Sequence, residues 1–301
     1  MRILIALGGN ALLRRNEALT LENQHQNIKI AVQALAPLAI EHELIITHGN
    51  GPQVGLLALQ SEAYPLDILD AETEGMIGYL IEQELINCLP STRLCATLLT
   101  QIEVDARDPA FQDPSKPIGP VYTQTEADRL ARERGWNIAR DGEHYRRVVP
   151  SPRPQRIFEL GIIKLLVTQG IIVICAGGGG IPVVKREDGS LVGVEAVIDK
   201  DLASSLLATE LKVDRFTMLT DIDGVYQDWE TPGARIIRRA SPETISKLNF
   251  ASGSMAPKVK AACEFVENSG GIACIGQLKD VAALMTGEAG TNIAKDTTGI
   301  C

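Results

Sequence analysis

A chain of 301 residues with 45% apolar content can bury a large core, as one big domain or as two lobes sharing a sheet. Only 4% of it is aromatic, so that core is mostly aliphatic. A formal charge of −9 excludes the basic surface that a nucleic-acid partner demands, yet leaves room for a nucleotide in a locally basic site.

Ile3 to Leu7 reads as a buried strand that runs straight into Gly8, Gly9 and Asn10. The backbone N–H groups of these three residues are expected to stand clear of side chains and form an anion nest. Their plainer reading is a tight turn, where Gly and Asn are common. Ile28, Val32, Leu35 and Ala39 recur at steps of three and four and predict a helix over about 22–41, capped by Thr20. Leu44 to Thr47 is a second buried strand, ending at His48-Gly49-Asn50-Gly51. A helix is predicted over 70–89, with Glu72 and Glu74 near its positive end and Leu69, Met76, Leu80 and Ile81 along one side. Residues 94–100 read as another strand, and this order predicts an α/β fold with a largely parallel sheet.

Between 104 and 154 the pattern breaks, punctuated by prolines at 109, 114, 117, 120, 150, 152 and 154. Asp141-Gly142 lies between alternating residues and reads as a tight hairpin, preceded by a short helix over 125–134. Ile118, Val121, Tyr122, Trp136, Tyr145 and Val148 need somewhere to pack, so the segment is expected to be an inserted subdomain within one 1–301 domain and not a disordered linker.

The α/β order resumes at 157–167. A very apolar strand over 171–176 enters Gly177 to Gly180, and Glu187 to Ser190 is a turn. A helix over 201–211, a strand over 215–220, a helix over 259–268 and a strand over 271–276 follow. No apolar run approaches membrane-spanning length, and no secretory pattern opens the chain. The six cysteines (Cys88, Cys95, Cys175, Cys263, Cys274 and Cys301) form no CxxC pair, and the four histidines are too scattered for a zinc framework. Free thiols in a reducing cytoplasm are the expectation.

Several glycine-rich turns with lysines nearby suggest phosphoryl transfer. HGNGPQVG can be forced into a dinucleotide fingerprint, but Pro52 and its place after the second strand count against a dehydrogenase. No GxxxxGK[ST] loop occurs. Lys200 begins a helix with Asp199 as cap, where a cation is unfavourable without a counter-charge that a bound phosphate would supply, and Asp201 beside it could hold the ammonium in position. Lys258 follows Gly253-Ser254-Met255-Ala256-Pro257 in a similar place, with Pro257 suited to a helix's first position. The two lysines could clamp a transferring phosphoryl group, whereas Lys260 reads as a solvated surface lysine. Asp221 and Asp223, in TDIDGVY, are explained by caps and turns, or by nucleotide contact or water-mediated magnesium. No serine–histidine–acid constellation is present, and a kinase needs none, since positioning and charge neutralisation supply most of its catalysis.

The series ALGGNAL, HGNGPQVG, EGMIGY, KPIGPVY, RRVVPSPRP, CAGGGGIPV, VIDKDLAS, LTDIDGVY and GSMAPKV, spread over the whole chain, resembles the carbamate kinases of the amino acid kinase fold. The resemblance implies a three-layer α/β/α sandwich around a mainly parallel eight-stranded sheet with a small protruding subdomain, in a homodimer. It implies magnesium-dependent transfer between ATP and carbamate, giving ADP and carbamoyl phosphate, run mostly toward ATP in arginine, agmatine or allantoin-type catabolism. It assigns catalytic roles to Lys200, Lys258 and Asp201, and lends Lys116 of the subdomain to carbamoyl phosphate. Gly8, Gly9, Asn10, Gly49, Asn50 and Gly51 match the substrate and phosphate site. Asp221, Asp223, Tyr226, Met255 and Lys258 match the nucleotide site, with magnesium held mainly by phosphates and water. The stretch Ser61-Glu62-Ala63 is shorter than in many relatives, which points to altered specificity or packing there. The competing readings are a same-fold kinase for another small carboxylate and a nucleotide-binding paralogue without turnover.

Overall fold

Alternation within the first strand decides how the layers stack. The computed structural model describes residues 1–13, 17–61, 63–250, 255–297 and 299, the side chains at 10 and 11 excepted. In it, β1 (Arg2–Leu7) sends Ile3, Ile5 and Leu7 to one face and Leu4 and Ala6 to the other. Expectations that fall on Glu62, Gly253, Ser254, Cys301 and the Asn10 side chain lie outside the described residues.

In chain order, α1 (Gly9–Leu12), α2 (Leu21–Glu41), β2 (Glu43–His48), α3 (Gly51–Gln60), α4 (Leu66–Cys88), β3 (Cys95–Thr97) and β4 (Gln101–Val104) follow β1. Next come β5 (Lys116–Tyr122), α5 (Gln124–Arg134), β6 (Ile138–Asp141), β7 (His144–Val149) and β8 (Pro154–Ile157). Then α6 (Leu160–Thr168), β9 (Ile172–Ile174), β10 (Ile181–Lys185), β11 (Leu191–Gly193), α7 (Lys200–Glu210) and β12 (Arg215–Thr220) resume the α/β order. They are followed by β13 (Val225–Gln227), β14 (Arg235–Ile237), β15 (Arg239–Ala240), α8 (Pro242–Ile245), α9 (Met255–Ser269), β16 (Ile272–Gln277), α10 (Val281–Thr286) and β17 (Thr291–Ile293).

The eight-stranded sheet has the order β15-β17-β16-β12-β1-β2-β9-β3. Every pairing is parallel except that of β16 with β17. On one face, Ile3, Ile5, Leu44 and Ile46 meet Ile28, Val32 and Leu35 of α2 and Ile77, Ile81 and Leu85 of α4. On the other, Phe216 and Met218 meet Leu207 of α7 and Phe265 of α9, the two rings edge to face with centroids 5.5 Å apart. This is the expected three-layer α/β/α fold. Because β1, β2, β9 and β12 are mutually parallel, their carboxyl ends open on one side, where ligands of such sheets bind.

Local chemistry sets the helix ends. Thr20 caps α2 by accepting the Asn23 N–H at 3.2 Å. Helix α4 begins at Leu66, earlier than predicted, because extended Pro65 stands at its N-cap. Glu74 therefore sits in the third turn and is buried, not near the positive end, and Met76 is 39% exposed, off the buried stripe. The strand expected over 94–100 stops at Thr97, and Gln101–Val104 joins a separate four-stranded sheet, β11-β10-β4-β8. Helix α9 already includes Met255, so Pro257 is its third described residue, where its missing N–H is still free of cost.

Between β4 and β8, strands β5, β7 and β6 form a three-stranded sheet under α5, whose Thr123–Glu126 capping box fixes its start. Tyr122, Ala127 and Leu130 form a small core there with Trp136, Ile138 and Tyr145. The β6–β7 hairpin turns at Gly142-Glu143, with Asp141 paired to His144, one residue later than the sequence suggested. Val121 is exposed and Ile118 packs elsewhere, with Val54, Ala58, Leu66 and Leu69 of α3 and α4. Glycine permits this approach: a Cβ on Gly55 would lie 2.0 Å from the Gly119 Cα.

Candidate active site

Helix α7 starts at the carboxyl edge of the sheet and places three charged residues in a row. Asp199 Oδ1 accepts the N–H groups of Asp201 at 2.9 Å and Leu202 at 3.2 Å, satisfying two donors that a helix start leaves unpaired. Its Oδ2 accepts from Lys116 Nζ at 2.5 Å, so the same carboxylate draws in a lysine from β5.

Asp201 joins the two helix-start lysines. Lys200 Nζ donates to its Oδ1 at 2.6 Å and Lys258 Nζ to its Oδ2 at 2.8 Å. Asp201, the neighbour placed to hold the Lys200 ammonium, thus supplies counter-charge that a lysine needs at a helix N-terminus. The three side chains are 11%, 15% and 6% exposed for Lys200, Lys258 and Asp201. Burial alone would raise the Asp201 pKa, but the two ammonium groups outweigh it and hold the carboxyl well below its ordinary value. Burial lowers Lys200, with Asp201 opposing and Lys258 adding repulsion. For Lys258 burial also pulls downward, but Asp201 wins and the pKa is raised. Three ammonium groups against two carboxylates leave the cluster one positive charge, suited to an anionic ligand.

The glycine turns bring backbone to this cluster, with one change from expectation. The Gly8 N–H donates to Leu219 O at 3.1 Å and the Gly49 N–H to Leu7 O at 3.0 Å, so these two amides are consumed by strand-end bonds and do not face an anion. Gly49 lies against Gly9 and near Lys200: its Cβ would be 3.2 Å from Gly9 N and 3.8 Å from Lys200 Cδ. Asn50 precedes α3, whose first turn from Gly51 has no intrahelical acceptors for its N–H groups. Behind this turn stands the tetraglycine loop. A Cβ on Gly177 would meet His48 at 2.3 Å, and one on Gly178 would meet the Asn50 amide at 2.2 Å.

Sequence reasoning missed the inward stripe of α4. Asp70, Thr73 and Glu74 are all buried and lie at the i, i+3, i+4 spacing of one helix face. Glu74 accepts the N–H groups of Thr100 at 3.1 Å and Gly177 at 2.8 Å, pinning the tetraglycine loop. Burial pushes its pKa up to about 8. Burial likewise raises Asp70 and lowers His48 to about 4, whose Nδ1 lies 3.2 Å from Gly49 O. The available signal was polar residues at helical spacing among apolar ones. A further tie, Thr47 Oγ1 to Ser204 Oγ at 2.7 Å, joins β2 to α7.

Past β12, Thr220 Oγ1 donates to Asp221 Oδ1 at 3.1 Å, and Gln277 Nε2 donates to the Asp221 carbonyl at 2.7 Å. Asp221 is within electrostatic reach of Lys258. Tyr226 donates its hydroxyl to Asp223 Oδ1 at 2.9 Å and packs edge-on against Trp229 at 5.1 Å. Met255 is buried in the core at the head of α9, and Lys260 is exposed as expected. Among the described residues no group of three or more His, Cys, Asp or Glu side chains is placed to hold a metal, five cysteines are free thiols, and no helix is long and apolar enough to cross a membrane. A cleft of about 560 Å³ at the amino ends of the strands is lined by residues such as Arg2 and Glu43, already paired at 2.8 Å.

The model of the Amino acid kinase family matches residues 1–275. The carbamate kinase of Haemophilus influenzae is 58% identical over 306 aligned positions, covering 100% of this chain and 99% of its own. That of Rhizobium meliloti is 53% identical over 308 positions, covering 100% and 95%. The structure of Giardia lamblia carbamate kinase bound to AMP-PNP superimposes with a TM-score of 0.88 at 39% identity, covering 98% of each chain.

Proposed function

Since the chain belongs to the carbamate kinases of the amino acid kinase family, we propose that it transfers a phosphoryl group reversibly between ATP and carbamate, giving ADP and carbamoyl phosphate. In the forward sense a carbamate oxygen forms a bond to the γ-phosphorus while the bond from that phosphorus to the β,γ-bridging oxygen breaks, and ADP leaves with the electron pair. Carbamate is already an anion, so no general base is needed.

The observation that carries this reading is Asp201 holding Lys200 and Lys258 on its two oxygens beside the turn at Gly49. The two ammonium groups, fixed in advance, neutralise charge on the transferring phosphoryl oxygens, which is where such catalysis gains most. Lys116 retains two further N–H donors beyond Asp199 and offers them to the carbamoyl end. Gly9, Asn10 and the first turn of α3 bind the small substrate. The nucleotide lies toward Asp221, Asp223, Tyr226 and the start of α9. Magnesium favours oxygen donors and keeps its waters. Asp221 and Asp223 would hold it through water, and with most of its contacts to phosphates it would supply neutralisation of phosphate charge.

In the cell the reaction runs toward ATP during catabolism, in the cytoplasm. Residues 104–154 act as the protruding subdomain that presents Lys116. The enzyme is a homodimer, supported by Met76, Tyr79 and Ile86 of α4 and Leu94 and Leu99 beside edge strand β3, all exposed.

The test is ATP formation from ADP and carbamoyl phosphate with magnesium, alongside Lys200→Ala. Activity that falls on the order of 10²-fold or more in a variant of unchanged fold supports the reaction and the site. A parent that binds ADP but forms no ATP overturns it.

A further inference from the structure

The orientation of the Asn50 amide is dictated from behind. Its Nδ2 donates to Asp70 Oδ1 at 2.8 Å and to Thr73 Oγ1 at 2.9 Å. Thr73 has one hydroxyl proton, and that proton is engaged by the carbonyls of Leu69 at 2.9 Å and Asp70 at 3.0 Å. Its oxygen can therefore only accept from Asn50. A flipped amide would set its oxygen against two acceptors, so both amide protons are committed to α4. Gly178 packs against the amide closely enough that a Cβ would lie 2.6 Å from Oδ1. Asn50 is only 2% exposed, and its Oδ1 takes no hydrogen bond from the described residues. It is a fixed acceptor one residue from Gly49, which adjoins Lys200.

We infer that Asp70 and Thr73 are positioning residues that hold the Asn50 oxygen toward the substrate, where it accepts a hydrogen bond from the amino group that distinguishes carbamoyl phosphate from acyl phosphates lacking one. This rests on the carbamate reading of the site and adds how the amino group is selected. A site built around a hydrogen bond to a substrate N–H rejects the analogue without it, because its own buried polar group is left unpaired.

The experiment compares ATP formation from ADP with carbamoyl phosphate and with acetyl phosphate, as a ratio of kcat/KM. Where acetyl phosphate does not turn over, its inhibition constant replaces its KM. The proteins are the parent, Asp70→Leu, Thr73→Val and Asp70→Asn. Asp70→Leu and Thr73→Val each remove one anchor of the amide and are expected to narrow the preference by about fivefold or more. Asp70→Asn keeps an oxygen for Nδ2 and is expected to keep the parent's ratio. A packing defect alone lowers use of both donors together and leaves the ratio unmoved. If Asp70→Leu fails to fold, the near-isosteric Thr73→Val still decides. An unchanged ratio with an active parent overturns this inference and leaves the reaction standing. A parent silent with carbamoyl phosphate overturns the reaction, and this inference with it.

Discussion

Replacing Asp201 by Asn removes one negative charge from between two ammonium groups while keeping the side chain's shape. The contacts are 2.6 and 2.8 Å, and the carboxylate is 6% exposed, so water screens them poorly. Removing one partner of a buried pair costs about 3–5 kcal/mol. The lysines retain some access to water, so the lower end applies, about 3 kcal/mol. The rate should fall further than the stability suggests. In both lysines burial depresses the pKa and Asp201 is the chief opposing influence. Lys200, already below its ordinary value, is the first to lose its proton once Asp201 is gone. With one transition-state charge missing, kcat is expected to drop on the order of 10²-fold or more. The sign with pH follows: the ammonium form returns as pH falls, so the deficit relative to the parent shrinks from about pH 9 to about pH 6. Steady-state ATP formation across that range, with thermal unfolding of both proteins, measures all three quantities. A variant within about threefold of the parent at every pH, or a deficit that grows toward acid, would refute the charge bridge.

Lys116→Ala is expected to raise the KM for carbamoyl phosphate while leaving ADP affinity within about twofold, because Lys116 reaches the cluster from β5 and not from the nucleotide side. Separate titrations of the two ligands check it. For Glu74→Gln the observable is stability against pH. The folded carboxyl holds its proton to about 8 while the unfolded one releases it near 4.5, so the native state binds more protons between those values and stability falls as pH rises. His48 acts oppositely between about 4 and 6.5, since there the unfolded state binds the extra proton. Asp70, raised by burial as well, slopes in the same direction but is present in both proteins, so from about 6.5 to 8 the difference between parent and Glu74→Gln should be a slope of up to about 1.4 kcal/mol per pH unit, measured by denaturant unfolding. An identical slope in the variant would mean that Glu74 does not carry that proton.

What was legible in the chain was local. Thr20, the α2 stripe, Asp199 and the Lys200-Asp201 pair all express rules that reach only a few residues. The anomaly of a lysine at the start of α7 was visible for the same reason, and it correctly marked a missing counter-charge. The long-range partners were hidden: Lys258 reaches Asp201 across 57 positions and Glu74 reaches Gly177 across 103. Strand neighbours were equally hidden. Only the pairing of β1 with β12 shows that the Gly8 amide is spent on Leu219, so a nest read from glycines alone overcounts its free donors. The buried carboxylates of α4 escaped notice because acidic residues near a helix start have a sufficient solvent-exposed explanation, and the start itself lay four residues earlier.

Asp199 shows why the two distant segments must be considered together. One of its oxygens is committed to the N-terminus of α7, the helix that carries Lys200 and Asp201, and the other to Lys116. A lysine has three donors, so Lys116 can meet an anion without leaving Asp199, and the cap survives ligand binding. Without that carboxylate, Lys116 would stand as a third ammonium beside Lys200 and Lys258 with Asp201 alone to offset them. With it, each added positive charge except one is balanced before any substrate arrives. The cluster can thus be stable when empty and still attract an anion, a balance that neither carboxylate could provide by itself.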